Sequence, residues 1–359
     1  MKTKMRTAVV GCGMISEIYL SNMIYKYPNL EVLACASRHM EHARQRARQF
    51  HIRACTYEEI LKMPEIELVV VLTPAPTHFE LIRQALLAGK HVYTEKTMTL
   101  QLSQAEELLS LANARGLYLG SAPDTFLGNA IQTAKKTIQD GRIGEVTSFM
   151  VSVNRNLDLM GSMYPFLRMP GGGICYDYGV YYLTALVSLL GSVVQVNGMV
   201  KNRSTVRTNI WKDSPDFGKT FSFPNESQVM AGLQLEHGIT GTFALHGDSL
   251  AKDLALFYIY GTEGILTLPN PDLFDGEVCL IQSGTDPLNE NHVSVLREKD
   301  GKAENQRGMG VSLMAQACLE QKNHPANKEL AYHVMEVIDK IMESSRSKSF
   351  EPVYSRLKM

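Results

Sequence analysis

The sequence lacks paired cysteines and has no strong excess of charge of either sign. Six cysteines are spread over 359 residues, and no two of them form a C-x-x-C pair. A disulfide framework and a zinc knuckle are therefore both disfavoured, and a reducing cytoplasm fits the chain. The formal net charge is −1, which argues against a large nucleic-acid-binding surface. We interpret the arginine-containing stretch at 43–50 as the solvated face of a helix.

Long uninterrupted apolar segments are also lacking. The N-terminal apolar part contains two glycines and is followed by Glu17, so we predict no signal peptide. Between positions 169 and 200 the only charged residue is Asp177, but glycines open and break this stretch. It favours a buried helix followed by a strand over a membrane span of about 20 apolar residues. The histidines have no ligand-like spacing, so we predict no metal site, and neither repeats nor low-complexity segments are present.

The length and the order of apolar patterns predict two domains. In residues 1–123, short apolar runs alternate with helix-period segments, which is typical of a parallel sheet covered on both faces. In residues 124–359, longer runs alternate between apolar and polar side chains, which favours a large, mostly antiparallel sheet with one buried face. The predicted fold class is therefore α/β, with a doubly wound parallel sheet followed by an α+β domain.

The stretch "AVVGCGMIS" is the first functional motif, because it reads as a strand, a G-x-G-x-x-S turn and the start of a helix. Gly11 permits the tight turn, and Gly13 lets a pyrophosphate approach the backbone. The N–H groups at the helix start, around Met14 and Ile15, would face the phosphates. This context predicts a Rossmann dinucleotide-binding site, although a glycine turn without a ligand stays an alternative.

The end of the second predicted strand bears on the choice of dinucleotide. An Asp or Glu usually occupies this position in NAD sites and binds the ribose 2′-hydroxyl. This chain has Ser37 and Arg38 instead. Arginine can pair with a 2′-phosphate that a carboxylate would repel, and serine can donate to it. We therefore expect NADP, with NAD as the alternative.

Four further motifs follow the glycine loop in a characteristic order: "TPAPTH", "AGKHVYTEK", "DGRIGEV" and "GGGICYDYGVYY". Together they resemble the glucose–fructose oxidoreductase/inositol dehydrogenase (Gfo/Idh/MocA) family, over nearly the whole chain. The resemblance implies a Rossmann domain, an open-faced β-sheet domain and NAD(P)-linked oxidation or reduction of sugars, cyclitols and related polyols. It also implies a homodimer or homotetramer built on the open sheet, which one chain would leave uncovered.

Residues of the cofactor side follow from this resemblance. The family's T-P-N-x-x-H motif is matched at Thr73, Pro74 and His78, with Ala75 in place of the asparagine. In the family's usual E-K-P motif the lysine points at the substrate and the nicotinamide. Glu95 and Lys96 match the first two positions of that motif, and a threonine at position 97 replaces the proline.

The last motif normally reads G-G-G…D-x-G-x-H, and here Asp177 matches while Tyr181 stands in place of the histidine. Oxidation of a carbinol requires removal of the hydroxyl proton as hydride leaves. Tyrosine, with a free pKa of about 10, needs a nearby positive charge to act as the base. The hypothesis is that Tyr181 is the acid/base, Lys96 its electrostatic activator and Asp177 the orienting group. Lys96 could itself be the base.

Each of these residues also has a structural interpretation. Lys96 could be solvated, Asp177 could be a hydrogen-bonded buried carboxylate, and Tyr181 could be a packed aromatic. More weakly, the positions of four residues near the motifs suggest that they line a substrate pocket: Asp124, Thr125, Tyr164 and Arg168. Two other functions stay open, namely a redox-assisted glycoside-processing enzyme that retains its dinucleotide and a cofactor-sensing regulator without catalysis.

Overall fold

The computed structural model describes residues 3–250, 254–286, 288, 290–297 and 305–357. The chain divides into two compact units. Unit 1 comprises Met1–Asp124 and Asn305–Tyr332, and unit 2 comprises Thr125–Glu304 and His333–Met359. The predicted division into 1–123 and 124–359 assigned 305–332 to the second domain, whereas this segment returns to unit 1.

Within its described residues, unit 1 contains a six-stranded parallel sheet with helices between the strands, in the order β3-β2-β1-β4-β5-β6. All four residues of its central strand β4 are buried, as expected for a parallel sheet covered on both faces. The strands are β1 (Met5–Val10), β2 (Leu30–Ala36), β3 (Arg53–Cys55), β4 (Leu68–Val71), β5 (His91–Thr94) and β6 (Leu119–Ser121). The helices are α1 (Met14–Tyr25), α2 (Met40–Phe50), α3 (Tyr57–Lys62), α4 (His78–Leu87) and α5 (Leu102–Ala114).

The described part of unit 2 contains a nine-stranded mixed sheet in the order β16-β15-β14-β13-β7-β12-β11-β8-β17, in which β7 and β12 pair in parallel. The remaining pairings are antiparallel. Its helices begin with α6 (Asn129–Gln139), α7 (Leu157–Met163) and α8 (Val180–Leu190). Its strands are β7 (Val146–Asn154), β8 (Val193–Lys201), β9 (Val206–Thr208), β10 (Thr220–Ser222), β11 (Gln228–Leu235), β12 (Thr240–His246), β13 (Leu256–Gly261), β14 (Ile265–Thr267), β15 (Val278–Ser283), β16 (Asn291–Arg297) and β17 (Glu351–Pro352). The predicted fold class is confirmed.

The two faces of the unit 2 sheet differ in exposure. On one face, Phe243 and Leu245 are fully buried, and a Cβ on Gly179, just before α8, would lie 2.7 Å from Leu245 Cδ1. The glycine therefore permits close packing of the helix on the sheet. On the opposite face, the register partners Met199 and Met230 are 72% and 46% exposed. This second face is the open side of the sheet.

The last two helices are α9 (Met309–Glu320) in unit 1 and α10 (Lys328–Ser347), whose residues from His333 belong to unit 2. Hydrogen bonds between distant parts of the sequence hold the segment that leads into α9. Asn22 Nδ2 donates to the carbonyl oxygens of Asn305 and Arg307 at 2.8 and 2.9 Å. Asp124 Oδ2 accepts from the N–H groups of Gly308 and Gly310, both at 3.0 Å. These contacts fasten the returning segment to unit 1.

The described ranges contain neither a membrane-spanning helix nor a cluster of metal ligands. Among their helices, none combines the length and apolar character that crossing a membrane requires. Within the same ranges, no group of three or more His, Cys, Asp or Glu side chains is arranged to hold a metal ion.

Candidate dinucleotide and catalytic site

The glycine loop after β1 lies against the ends of two neighbouring strands. Gly11 has φ +105°, a conformation that L side chains rarely adopt, and its N–H donates to Ala36 O at 2.8 Å at the end of β2. A Cβ on Gly11 would lie 2.7 Å from the carbonyl carbon of Leu72, directly after β4. Glycine is therefore required here by backbone packing alone, whether or not a ligand is bound.

Gly13 has a different environment, which suits a ligand. It precedes α1 as the N-cap residue, it is exposed, and no heavy atom lies within 4 Å of the position a Cβ would take. No side chain in the described chain caps the start of α1, where Met14 is 71% exposed and Ile15 is partly buried. Uncapped N–H groups at a helix start attract anions, and the helix dipole adds to this attraction. The arrangement fits a pyrophosphate.

Arg46 of α2 donates hydrogen bonds to side chains at the start of α1. The prediction that 43–50 is the solvated face of a helix is wrong for this residue. Its side chain is 13% exposed, whereas Arg48 two residues later is 72% exposed. Arg46 Nε donates to Ser16 Oγ at 3.2 Å, and Nη1 donates to Glu17 Oε2 at 2.8 Å. The short-range pattern of α2 carried no signal for these contacts, because they depend on α1 packing beside α2.

Ser37 and Arg38 directly follow β2, whose last carbonyl accepts from the glycine loop. Ser37 is half-buried, and Arg38 is exposed, with its Nε 3.4 Å from His39 Nε2. The two residues thus lie where a Rossmann fold recognises the adenosine ribose. None of the ion pairs between described residues joins Arg38 to a carboxylate. Its positive charge is therefore available to an anion.

The residues after β4 connect this edge of the sheet with the lysine segment. Thr73 is half-buried and Pro74 is exposed. His78 is fully buried, and its Nδ1 and Nε2 lie 2.7 Å from the carbonyl oxygens of Thr97 and Thr73 respectively. Burial lowers the pKa of His78, although both carbonyl oxygens favour the protonated ring. Because both ring nitrogens are engaged, His78 connects the backbone of Thr73 with that of Thr97, next to Lys96. Its place on the cofactor side of the site stays a prediction.

Glu95 and Lys96 directly follow β5, at the same edge of the sheet. Glu95 Oε1 accepts from the hydroxyl of Tyr19, a fully buried residue of α1, at 2.8 Å. Its Oε2 accepts from the N–H of Lys96 at 3.0 Å. Lys96 is half-buried, and the peptide bond between it and Thr97 is cis. The backbone that carries Lys96 is therefore tied to the helix that starts at the glycine loop.

Asp177 and Tyr181 lie on one helical stretch of unit 2. A π-helical turn, Cys175–Gly179, leads directly into α8, whereas the sequence predicted an ordinary α-helix. Asp177 is half-buried, and its N–H donates to Gly173 O at 2.8 Å. Tyr181 is 8% exposed. Single π-helical turns within helices are frequent at functional sites. Lys96 belongs to unit 1 and these two residues belong to unit 2, so their meeting around a nicotinamide stays a prediction.

Beside this pair lies a group of side chains that the sequence did not single out. Tyr178 Oη accepts from Asn270 Nδ2 at 2.7 Å, and Tyr182 Oη donates to Asn270 Oδ1 at 3.3 Å. The Cζ of Arg155 lies 3.8 Å from the centroid of the Tyr178 ring, within cation–π range. The centroids of the Tyr178 and Tyr181 rings are 6.4 Å apart. The Arg155 guanidinium therefore contacts the aromatic ring next to Tyr181, the proposed acid/base.

The four weaker pocket candidates differ in how far their side chains are already engaged. Asp124 is 1% exposed and bonds the start of α9, and burial raises its pKa to about 6. Thr125 is 2% exposed. Arg168 donates to Gly161 O at 2.7 Å and lies over the Phe221 ring at 4.2 Å. Tyr164 is half-buried at the end of α7, and its contact with a substrate stays a prediction.

The fold and the glycine loop are those of a Rossmann unit that suits a dinucleotide, followed by an open-sheet unit. A family model for the NAD-binding Rossmann fold of an oxidoreductase family matches residues 5–122, and a model for the GFO/IDH/MocA C-terminal domain matches residues 131–267. The chain belongs to the Gfo/Idh/MocA oxidoreductase family. The predicted family and enzyme class are thereby confirmed at this level.

Three proteins are similar to this chain, two in sequence and one in fold. The chain is 31% identical to an uncharacterized oxidoreductase of Schizosaccharomyces pombe over 56% of each chain, so it spans little more than half of that relative. It is 31% identical to a dTDP-3,4-didehydro-2,6-dideoxy-α-D-glucose 3-reductase of Streptomyces violaceoruber, over 75% of this chain and 78% of the relative. Its fold resembles a levoglucosan dehydrogenase solved with NADH and L-sorbose, at a TM-score of 0.84 and 18% identity, over 98% of this chain and 99% of the other.

The two loop glycines yield a paired prediction. Gly11→Ala should lower the free energy of unfolding by about 2 kcal/mol or more, since it adds backbone strain and a clash with Leu72. Gly13→Ala should change that free energy by less than about 0.5 kcal/mol but weaken NADPH binding roughly tenfold, since its methyl group would occupy the approach to the backbone. Chemical denaturation and fluorescence titration measure the two quantities. Equal effects of both substitutions on folding and binding would contradict the assignment.

Proposed function

We propose that this chain is an NAD(P)-dependent dehydrogenase or reductase that transfers hydride between nicotinamide and a carbinol or carbonyl of a sugar, cyclitol or related polyol. One observation supports this most strongly. The uncapped start of α1 and Lys96 lie at the same edge of one parallel sheet, and Tyr19 and Glu95 link the two segments. A dinucleotide that binds its phosphates at α1 would then extend toward Lys96.

The residues of this chain supply binding, orientation and proton transfer. The bound nicotinamide supplies or accepts the hydride. Tyr181 removes the proton from the carbinol hydroxyl, or returns it in reduction. The ammonium of Lys96 favours the tyrosinate and the developing charge on the substrate oxygen, and it serves as the base if Tyr181 does not. Asp177, four residues before Tyr181 on the helix, orients the group that moves the proton.

We further propose that NADP is preferred over NAD. Arg38 is exposed directly after β2, and the Ser37 hydroxyl precedes it. An arginine and a hydroxyl donor together suit a 2′-phosphate, whereas an acidic residue would suit the free 2′-hydroxyl. The substrate is proposed to be sugar-like and to bind beside Asp177 and Tyr181 of unit 2.

The catalytic assignment predicts a separation of binding from turnover. Lys96→Met, Tyr181→Phe and Asp177→Asn should each lower kcat/KM by roughly 10²- to 10⁴-fold, because they remove the activating ammonium, the acid/base and the orienting carboxylate respectively. The dissociation constant for NADPH should stay within about threefold of the wild-type value. A screen of sugars, inositols and diols, followed by nicotinamide absorbance, provides the substrate for these measurements.

Two exposed residues provide matched controls for these substitutions. Lys62→Met and Tyr25→Phe remove the same chemical groups at exposed positions and should leave turnover unchanged. Near-normal turnover by Lys96→Met would contradict the scheme. Cleavage of a glycoside without net consumption of dinucleotide would indicate redox-assisted processing, and binding without any hydride transfer would indicate a regulator.

Cofactor preference rests on Arg38 and is tested by its removal. Arg38→Ala should raise the NADP dissociation constant tenfold or more while the NAD constant changes less than about threefold, because only NADP has the 2′-phosphate. Arg48→Ala, which removes another exposed arginine at the end of α2, is the control. Tighter binding of NAD than of NADP by the wild-type protein would overturn this preference.

We also propose that two or four copies of the chain associate through the open face of the unit 2 sheet. Met199 and Met230 are register partners on that face, and both are highly exposed for methionine. Met199→Glu with Met230→Glu should shift the sedimenting species to the monomer, because it places charges in an apolar contact. An unchanged oligomer, or a wild-type monomer at micromolar concentration, would contradict this surface.

A further inference from the structure

Glu226 contacts the start of the helical stretch that carries Asp177 and Tyr181. It lies in the loop between β10 and β11. Its Oε1 accepts from the N–H of Cys175 at 3.0 Å, and its backbone carbonyl accepts from the N–H of Ile174 at 3.1 Å. The first N–H groups of a helix have no partner within the helix. One glutamate therefore supplies acceptors to two successive N–H groups at this start.

One glycine of "GGG" makes room for this contact. A Cβ on Gly173 would overlap the carboxylate of Glu226, and a Cβ on Gly172 would overlap the carbonyl oxygen of Leu167. The two glycines are thus explained by what packs against them. Gly173, which the sequence presented only as part of a family signature, is required because a carboxylate about fifty residues later in the chain packs against it.

The charge of Glu226 is coupled to the proposed catalytic stretch. Although part of the residue is exposed, its carboxyl group is buried, and this burial raises the pKa of Glu226 to about 7. The nearby carboxylate of Asp177 contributes to this rise, while the N–H groups of Cys175 and Tyr176 oppose it by favouring the ionised form. Tyr176 in turn faces Asp339 and Arg346 of α10.

We propose that Glu226 is a positioning residue that holds the first turn of this helix and thereby sets the orientation of Asp177 and Tyr181. The inference rests on the proposed function, since it assigns the helix to the carbinol chemistry. When ionised, Glu226 accepts from the helix start and repels Asp177. When protonated, Glu226 is a weaker hydrogen-bond acceptor, and it no longer repels the carboxylate of Asp177. Turnover should therefore fall as the pH drops below about 7, because the turn that aims the proton-transfer groups is then held less firmly.

The effect on stability has the opposite sign, which separates the two roles. The pKa of Glu226 is higher in the folded chain than its ordinary value of 4.5. The folded state therefore binds this proton more tightly, and the contribution of the carboxyl group to stability is fully present below the ordinary value and is lost as the pH rises through about 7. A rise in turnover across this range thus cannot be attributed to a gain in stability from Glu226.

Glu226→Gln tests the proposal, because the amide keeps an acceptor oxygen and the shape of the side chain but does not titrate. In the variant, the step in kcat near pH 7 should disappear, kcat should change by up to roughly tenfold, and the NADPH dissociation constant should stay within about threefold. Glu236→Gln is the matched control. It also removes a glutamate whose Oε2 accepts a backbone N–H, that of Ser192 at 3.2 Å, but away from this helix start. It should keep the wild-type pH profile.

Amide hydrogen exchange of the peptide that contains 174–178 provides a readout independent of turnover. When this turn opens locally while Glu226 stays buried, Glu226 loses the N–H groups that favour its ionised form. Exchange through this local opening, corrected for its intrinsic pH dependence, should therefore slow as the pH rises through about 7 in wild-type protein, and Glu226→Gln should abolish that step. An unchanged exchange step in Glu226→Gln overturns the proposal, as does an unchanged pH profile in an active enzyme. If the wild-type protein shows no hydride transfer, the proposed function fails separately, and the exchange step alone decides whether Glu226 holds this turn.

Discussion

The close approach of the glycine loop to its neighbouring strands is the constraint on which the site of unit 1 depends. Gly11 brings the loop against the backbone after β4, and its N–H bonds the end of β2. That contact sets where α1 begins. From α1, Tyr19 reaches Glu95, and Glu95 bonds the N–H of Lys96. A chain of backbone and buried side-chain contacts thus connects the predicted phosphate site with the predicted catalytic lysine.

The same physical principle operates in both units, since each proposed functional region includes a helix start. In unit 1, α1 begins without a side-chain cap, so its N–H groups remain for an anionic ligand. In unit 2, the corresponding N–H groups of the helix that leads into α8 are bonded by Glu226. One helix start suits a phosphate, whereas the other is closed by a carboxylate of the protein itself. Glycines are needed at both places, but for different neighbours.

Local sequence patterns predicted the parts of the fold that depend on neighbours in the chain. The alternation of apolar runs and helix-period segments in 1–123 predicted the parallel sheet with its helices, and the strand–turn–helix context located the glycine loop after β1. The order of the motifs along the chain identified the family. Contacts between distant segments, in contrast, left no local pattern in the sequence. Three features depend on segments that meet only in the folded chain. They are the hydrogen bond from Arg46 to Ser16, the return of 305–332 to unit 1 and the helix cap supplied by Glu226. The π-helical turn that carries Asp177 also has no signature in its residues.

Lys96, Asp177 and Tyr181 are proposed to act together on a carbinol beside a nicotinamide. A crystal structure with NADP and an inert polyol analogue tests this most directly. We expect phosphates at the start of α1, a nicotinamide ring beside Lys96, and an analogue hydroxyl within hydrogen-bond distance of Tyr181 or Lys96. A nicotinamide bound elsewhere, or Lys96 and Tyr181 facing separate cavities, would contradict it.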